Sequence, residues 1–320
     1  MENIQEIGFD CGRGYVKAYS EVDGSIHQTK FKSVIGDGRD IDLSDFNKVH
    51  NPENIMVSDN PSIEKPRYIE FENERYFIGL LAEKESQAPI RNSKDSKISE
   101  TVRVLLASTL NDIAVKNKVK IMVGVPYKSY RKSVLKEVLD TYKGHIFKVK
   151  DRITGATKEI QIVDISILRE ADAAVLHALG GNINTERPIG LATIGFRSSE
   201  LSFFDKNFAF NDKKSTTIEF GNRTLLARVQ SDLMSEGITK DVNEIDSSND
   251  YNDKKAKVFK LGSENLSQRI EDIWINLSEM DLYIAGGTAL NLNFDEQFKI
   301  VDDAQMATAR GLFEAAQRRF

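Results

Sequence analysis

Asp10, Gly12, Arg13, Gly14 and Lys17 lie within one short stretch, Ile7-Gly8-Phe9-Asp10-Cys11-Gly12-Arg13-Gly14-Tyr15-Val16-Lys17-Ala18-Tyr19. Their types suit the grip of a phosphate. Glycine lacks a Cβ, so Gly12 and Gly14 let backbone N–H groups come close to a bulky anion and also allow positive φ. Successive N–H groups in such a turn form an anion-binding concavity. Lys17 can add a point charge, and Asp10 can hold a metal ion through water. Glycine turns are common, so an ordinary hairpin with a surface lysine stays open on this stretch alone. Cys11 reads as a small apolar filler rather than a nucleophile, because no histidine is near it in sequence. His27, His50, His145 and His177 are scattered without ligand spacing, so no metal site made of protein side chains is expected.

The elements that must position these residues alternate between strand and helix. The opening stretch reads as strand, glycine turn, strand, which is a β-hairpin. Residues 25–88 read as a β-rich insertion with turn signals at Asp37-Gly38-Arg39-Asp40 and Asn51-Pro52-Glu53-Asn54, and with a hairpin of 67–71 and 76–79. Val102, Leu105, Leu106, Leu110 and Ile113 recur at helical spacing. Lys120 to Val125 is nearly all apolar, as in a strand covered on both faces, and Pro126 ends it. A helix over 127–142, two short strands, and an alanine-rich helix from Glu170 to Leu179 follow.

A second set begins at Ile189. Strand 189–194, the turn Gly195-Phe196-Arg197-Ser198 and strand 200–204 repeat the shape of the opening. Strands at 210–212 and 216–220 and a helix around Leu225, Leu226, Val229 and Leu233 come next. Thr239 to Lys257, rich in Asp, Asn, Ser and Lys, reads as a mobile segment. An amphipathic helix over 266–277 carries the sole tryptophan, Trp274, as a core residue. A strand over 281–285 runs into Gly286-Gly287-Thr288, and a helix over 303–318 closes the chain. Two like hairpins imply an internal duplication, two α/β halves each offering a glycine turn to one ligand. A crevice between such halves would hold a nucleotide.

Composition excludes several other classes. A chain of 320 residues with 40% hydrophobic and 29% charged residues is that of a soluble globular protein large enough for two domains. A net charge of −5 argues against a coat for nucleic acid or an anionic membrane. One cysteine allows no internal disulfide, the acidic first residues do not resemble a signal peptide, and no apolar run spans a membrane, so a cytoplasmic protein is expected.

Four pieces occur in order: Asp10 to Lys17; Ile167-Leu168-Arg169-Glu170-Ala171-Asp172; Thr193-Ile194-Gly195-Phe196-Arg197-Ser198-Ser199-Glu200; and Tyr283-Ile284-Ala285-Gly286-Gly287-Thr288-Ala289, followed by Asp303-Ala304-Gln305-Met306-Ala307-Thr308-Ala309-Arg310-Gly311-Leu312. This order resembles the actin, sugar-kinase and heat-shock-chaperone ATPase superfamily. Within it, the retained lysine and the C-terminal motif resemble bacterial actin-like plasmid-segregation ATPases of the ParM type. The resemblance implies an α/β actin-like fold of two duplicated domains with a nucleotide cleft between them. One domain would be 1–181, with an insertion over about 25–95 and helix 303–320 packed back on it. The other would be 182–302, with a short insertion over about 222–262.

The resemblance also implies roles. Gly12, Arg13, Gly14 and Lys17 would bind the β- and γ-phosphates, and Gly195, Phe196, Arg197 and Ser198 would clasp them from the other side. Gly286, Gly287 and Thr288 would take the adenosine, Asp10 would order Mg2+ through water, and Glu170 would orient the attacking water. Glu170 taken alone is also a plain helix N-terminal acid favoured by the macrodipole. Thr193 stands where the family usually has an aspartate, which implies slow hydrolysis. The implied activity is an ATPase, with GTP left open. It would polymerise head to tail and segregate plasmid DNA through a ParR-like DNA-bound adaptor, without a membrane. The alternative is a small-molecule kinase of the sugar or acetate type.

Overall fold

The computed structural model describes residues 4–41, 64–93 and 96–320. The turn signal at Asn51-Pro52-Glu53-Asn54 and the residue His50 lie outside the described residues. The chain divides into two compact units, Met1–Glu170 with Ala315–Phe320, and Ala171–Glu314.

The strands of the first unit are β1 (Ile4–Cys11), β2 (Tyr15–Val22), β3 (Ser25–Lys32), β4 (Val34–Asp37), β5 (Arg67–Phe71), β6 (Glu74–Ile78), β7 (Ile90–Arg91), β8 (Lys118–Val125), β9 (Ile146–Asp151) and β10 (Thr157–Arg169). Its helices are α1 (Leu80–Glu85), α2 (Glu100–Ile113) and α3 (Lys132–Tyr142). The strands form a single sheet in the order β3-β2-β1-β8-β10-β9-β5-β6-β4-β7. The apolar run at the end of β8 is buried from Ile121 to Val125, as expected of a strand covered on both faces. The apolar stripe of α2 lies in the same core cluster as β1, β8 and β10, together with Val138 and Tyr142 of α3. The two ends of α2 are satisfied separately. Ser99 Oγ accepts from Val102 N–H at the N-terminus. At the C-terminus, Gln5 Nε2 donates to the Ile113 carbonyl at 3.0 Å, and Lys158 Nζ donates to the carbonyls of Asn111 and Ala114 at 2.6 and 2.9 Å.

The second unit holds β11 (Ile189–Ile194), β12 (Ser199–Asp205), β13 (Ala209–Phe210), β14 (Thr216–Ile218), β15 (Asp281–Ala285) and β16 (Phe298–Ile300). Its helices are α5 (Asn222–Ser235), α6 (Val242–Ser247) and α7 (Asn252–Ile273). α4 (Glu170–Ala178) begins at the junction of the units, and α8 (Ala307–Arg319) runs from the second unit into the last residues of the first. The duplication is explicit in the topology. The first sheet contains β3-β2-β1-β8-β10 and the second β13-β12-β11-β15-β16. In each, two antiparallel pairings are followed by two parallel ones. Trp274 is buried in the core of the second unit, with its indole N–H on the Lys214 carbonyl at 3.0 Å.

Three expectations change. The helix expected over 266–277 runs from Asn252 to Ile273, so Trp274 caps it rather than lying within it. Residues 239–257 do not form an irregular segment. Asp241 makes a capping box with Glu244 at the start of α6, and α7 buries Val258, Phe259, Leu266 and Ile270 along one face. The polar composition belongs to the exposed faces of these helices. The last helix starts at Ala307 rather than Asp303, because Asp303 has a positive φ of 47° and Met306 N–H closes a turn on its carbonyl.

Within the second unit, α4 and α8 touch backbone to backbone: a Cβ on Gly311 would be driven into the Ala173 carbonyl. Backbone cannot yield as a flexible side chain can. Gly311→Ala is expected to lower unfolding stability by about 2 kcal/mol or more, read from denaturant unfolding midpoints. An unchanged midpoint would contradict the contact.

Candidate functional site

The two hairpins match residue for residue. In the first, Asp10 pairs with Lys17 and Cys11 with Val16, so the turn Gly12-Arg13-Gly14 and the first residue of β2, Tyr15, lie beyond the last pair. In the second, Thr193 pairs with Glu200 and Ile194 with Ser199, so Gly195-Phe196-Arg197-Ser198 is the loop. The same bond closes both: Gly12 N–H to the Tyr15 carbonyl at 3.1 Å, and Gly195 N–H to the Ser198 carbonyl at 3.0 Å. A Cβ would stand 3.2 Å from that oxygen at Gly12 and 3.0 Å at Gly195. Glycine therefore serves close approach here. Neither Gly12 nor Gly14 uses the positive φ open to glycine; among the described glycines it occurs elsewhere, as at Gly286.

What the loop carbonyls do fixes which way the loop N–H groups point. The Gly12 carbonyl accepts from Ser33 Oγ at 2.7 Å and Asn92 Nδ2 at 3.4 Å, and the Gly14 carbonyl accepts from Ser33 N–H at 2.9 Å. Ser33 and Asn92 are buried. In the second loop, the Gly195 carbonyl accepts from Asn222 N–H at 3.2 Å and Thr288 Oγ1 at 2.9 Å, and the Phe196 carbonyl accepts from Arg223 N–H at 2.8 Å. No cis peptide is present among the described residues. In a trans peptide, a carbonyl and the N–H that follows it point opposite ways. The N–H groups of Arg13 and Tyr15, and of Phe196 and Arg197, therefore project away from the pinned carbonyls. Each unit thus carries a short edge of backbone donors, the arrangement that binds phosphate oxygens.

The second unit brings Gly286 against the end of β11 and Thr288 onto its loop. Gly286 has φ +96°, and a Cβ there would run into the Ile194 carbonyl. Its N–H donates to the Ala304 carbonyl at 2.8 Å. Gly287 lies against Gln305, where a Cβ would stand 3.0 Å from Nε2, and buried Thr288 bonds the loop directly. Gly221, which the sequence reading missed, starts α5 against the loop. A Cβ there would come within 2.6 Å of the Gly195 oxygen and 2.7 Å of the Phe196 oxygen.

The first unit gathers the charges. Lys17 Nζ lies 2.6 Å from Asp10 Oδ2, and Asp10 is only 4% exposed. Lys97 was not foreseen. Its ammonium donates to the Cys11 carbonyl at 3.1 Å and to Glu170 Oε1 at 3.3 Å. Nothing local marks it, since it sits in a polar stretch without periodicity just ahead of the α2 cap. Burial raises the Glu170 pKa, against Lys97, which lowers it; Asp10 adds to the rise. Burial disfavours the Lys97 ammonium, but Glu170, Cys11 and Asp10 outweigh that, and its pKa is raised. Burial likewise pushes the Cys11 thiol up to about 12.

The donor set suits Mg2+, which keeps several waters and needs one or two carboxylates plus substrate phosphates. Asp10 supplies such a carboxylate two residues before the first loop. Among the described residues, no three acidic, histidine or cysteine side chains gather as a direct metal cage. The matched registers put Thr193 at the counterpart of Asp10 and Glu200 at that of Lys17. An acid does lie directly across the strand pair from Thr193, where partners share a face. Ser202 Oγ donates to Glu200 Oε1 at 3.1 Å.

Residues 8–171, more than half of the chain, match the family model for the N-terminal domain of actin-like proteins, and the chain belongs to that family. No curated protein sequence matches it. Among solved structures, the chain is similar to Ta0583, an archaeal actin homologue, at 14% identity and TM-score 0.77, covering 98% of this chain and 99% of that one. The complex of that homologue with ADP matches at 15% identity and TM-score 0.77, covering 98% and 99%. A 15-stranded ParM filament from Clostridium botulinum matches at 21% identity and TM-score 0.74, covering 99% of each chain. At these identities the likeness is one of fold.

A thiol held near 12 stays protonated at neutral pH and is a poor nucleophile. Folded protein treated with iodoacetamide at pH 8 is expected to leave Cys11 unmodified by mass spectrometry, whereas urea-unfolded protein is alkylated. Fast alkylation of the folded chain would contradict this.

Proposed function

We propose that the chain is an ATP-dependent, filament-forming ATPase of the ParM type. The observation that carries this reading is the pair of matched loops, one in each unit, each closed by the same hydrogen bond and each with two carbonyls pinned, so that the N–H that follows each pinned carbonyl points the opposite way. Membership of the actin-like family and the ADP bound by the archaeal homologue support ATP as the ligand. Gly12, Arg13, Gly14 and Lys17 bind the β- and γ-phosphates, with Gly195, Phe196, Arg197 and Ser198 on the same phosphate chain. Gly286, Gly287 and Thr288 take the adenosine. Asp10 holds Mg2+ through water, and the ion supplies charge neutralisation at the phosphates when bound.

Hydrolysis is then mostly a matter of positioning. Glu170 orients a water whose oxygen attacks the γ-phosphorus. The bond from that phosphorus to the β–γ bridging oxygen breaks, the water's protons stay with phosphate and solvent, and ADP and phosphate leave. Thr193 in the acid's place makes this slow. ATP favours head-to-tail contacts between copies of the chain, and a heterologous contact that does not close gives an open filament. The ParM filament among the similar structures supports this use of the fold. The net charge of −5 suits a cytoplasmic polymer that meets plasmid DNA through a separate DNA-binding adaptor.

At tens of micromolar, light scattering and pelleting are expected to show polymer with ATP, and little with ADP or no nucleotide. Absence of any ATP-dependent polymer would contradict the filament, and sugar-stimulated ADP release would point to a kinase instead. Glu170→Ala should cut phosphate release by about 100-fold while leaving polymer formation in place. Release at the wild-type rate would remove Glu170 from the mechanism.

A further inference from the structure

Lys97 is buried, its side chain 5% exposed, beside the start of the first phosphate loop. Burying an ammonium is costly unless it is paired and hydrogen-bonded. Its backbone is fixed as well: the Tyr142 hydroxyl donates to the Lys97 carbonyl at 2.7 Å. The ammonium touches two groups, the carbonyl of Cys11, where β1 ends and the loop begins, and the carboxylate of Glu170, where α4 begins.

We propose that Lys97 is a positioning residue for ATP hydrolysis, bridging the end of β1 and the Glu170 carboxylate so that Glu170 stays at a set place beside the phosphate loop. The inference rests on the ATPase reading above. A purely structural role explains it less well. Tying down a strand end needs only a neutral donor, and a well-packed apolar residue is often as stable as a buried ion pair or more so. A full positive charge is needed where a carboxylate must be kept ionised in a half-buried place, its side chain 24% exposed, with Asp10 near it. Burial first, and Asp10 with it, work against ionisation of Glu170, and Lys97 works for it. Without Lys97, the Glu170 carboxylate gains a proton or turns toward water, and it loses its hold on the attacking water. The phosphate donors themselves, backbone N–H groups pinned through Ser33 and Asn92, do not depend on Lys97. Loss of Lys97 is therefore felt in turnover and not in nucleotide affinity.

The test uses the full chain as wild type, Lys97→Met, Lys97→Arg, Glu170→Gln and the Lys97→Met/Glu170→Gln double variant. Phosphate release at saturating ATP gives kcat, and titration with ATP gives Kd. Lys97→Met should lower kcat by about 100-fold, with Kd within about threefold of wild type, the split expected when only transition-state positioning is lost. Lys97→Arg, which keeps the charge, should recover part of that loss. The double variant should be no slower than the slower single variant, because the two residues act as one unit. It also removes both charges of the pair together, so it carries the test if Lys97→Met does not fold, and kcat near wild type in it would overturn the proposal. Wild-type kcat in Lys97→Met, equal loss of kcat and ATP binding, or additive losses would each overturn it too. If wild-type protein neither binds nor hydrolyses ATP, the ATPase reading falls and this inference with it, a result distinct from normal turnover in Lys97→Met.

Discussion

The pinning of loop carbonyls is the constraint on which the rest depends. A glycine turn left to itself can rotate its peptides and offer either carbonyl or N–H to a ligand. Here Ser33 and Asn92 fix the peptides of the first loop, and Asn222, Arg223 and Thr288 fix those of the second. An unmade bond to a buried carbonyl costs more than a made one gains, so the peptides are held in that sense. The donor edge therefore exists before any anion arrives, and preorganised donors are what stabilise phosphoryl transfer at least cost.

Duplication supplied the two loops, and divergence gave them different charges. The strand order and senses are shared, and each loop is closed by the same hydrogen bond. The residues flanking the loops differ. The first hairpin holds an Asp10–Lys17 pair at 2.6 Å, while the second places Thr193 opposite Glu200. The charges gather in the first unit, where Asp10, Lys17, Lys97 and Glu170 interact. The second unit contributes backbone and hydroxyl donors, with Gly221 and Gly286 allowing the close approaches that side chains would block.

Much of the fold was legible because it is written locally. The apolar run of β8, the stripe of α2 and both glycine hairpins follow from the periods of strand and helix and from the missing Cβ of glycine. So does the core position of Trp274. The rest depended on tertiary contact. Ser33, Asn92 and Lys97 are unremarkable polar residues in sequence, and only the folded chain brings them to the first loop. The role of Gly221 shows only where α5 starts against the second loop. Residues 239–257 were misread because exposed helix faces dominate their composition, while the apolar Val242 and Ile245 are few among the polar residues. The φ angles of Gly12 and Gly14 were also out of reach, since close approach and left-handed backbone call for the same residue.

A crystal structure of the chain with a non-hydrolysable ATP analogue and Mg2+ tests the central claim most directly. The account predicts β- and γ-phosphate oxygens within hydrogen-bond distance of the N–H groups of Arg13 and Tyr15, and of Phe196 and Arg197, with the carbonyls of Gly12 and Gly195 still held by Ser33 and Thr288. Phosphates bound away from both loops, or loops whose peptides have flipped to release those carbonyls, would contradict it.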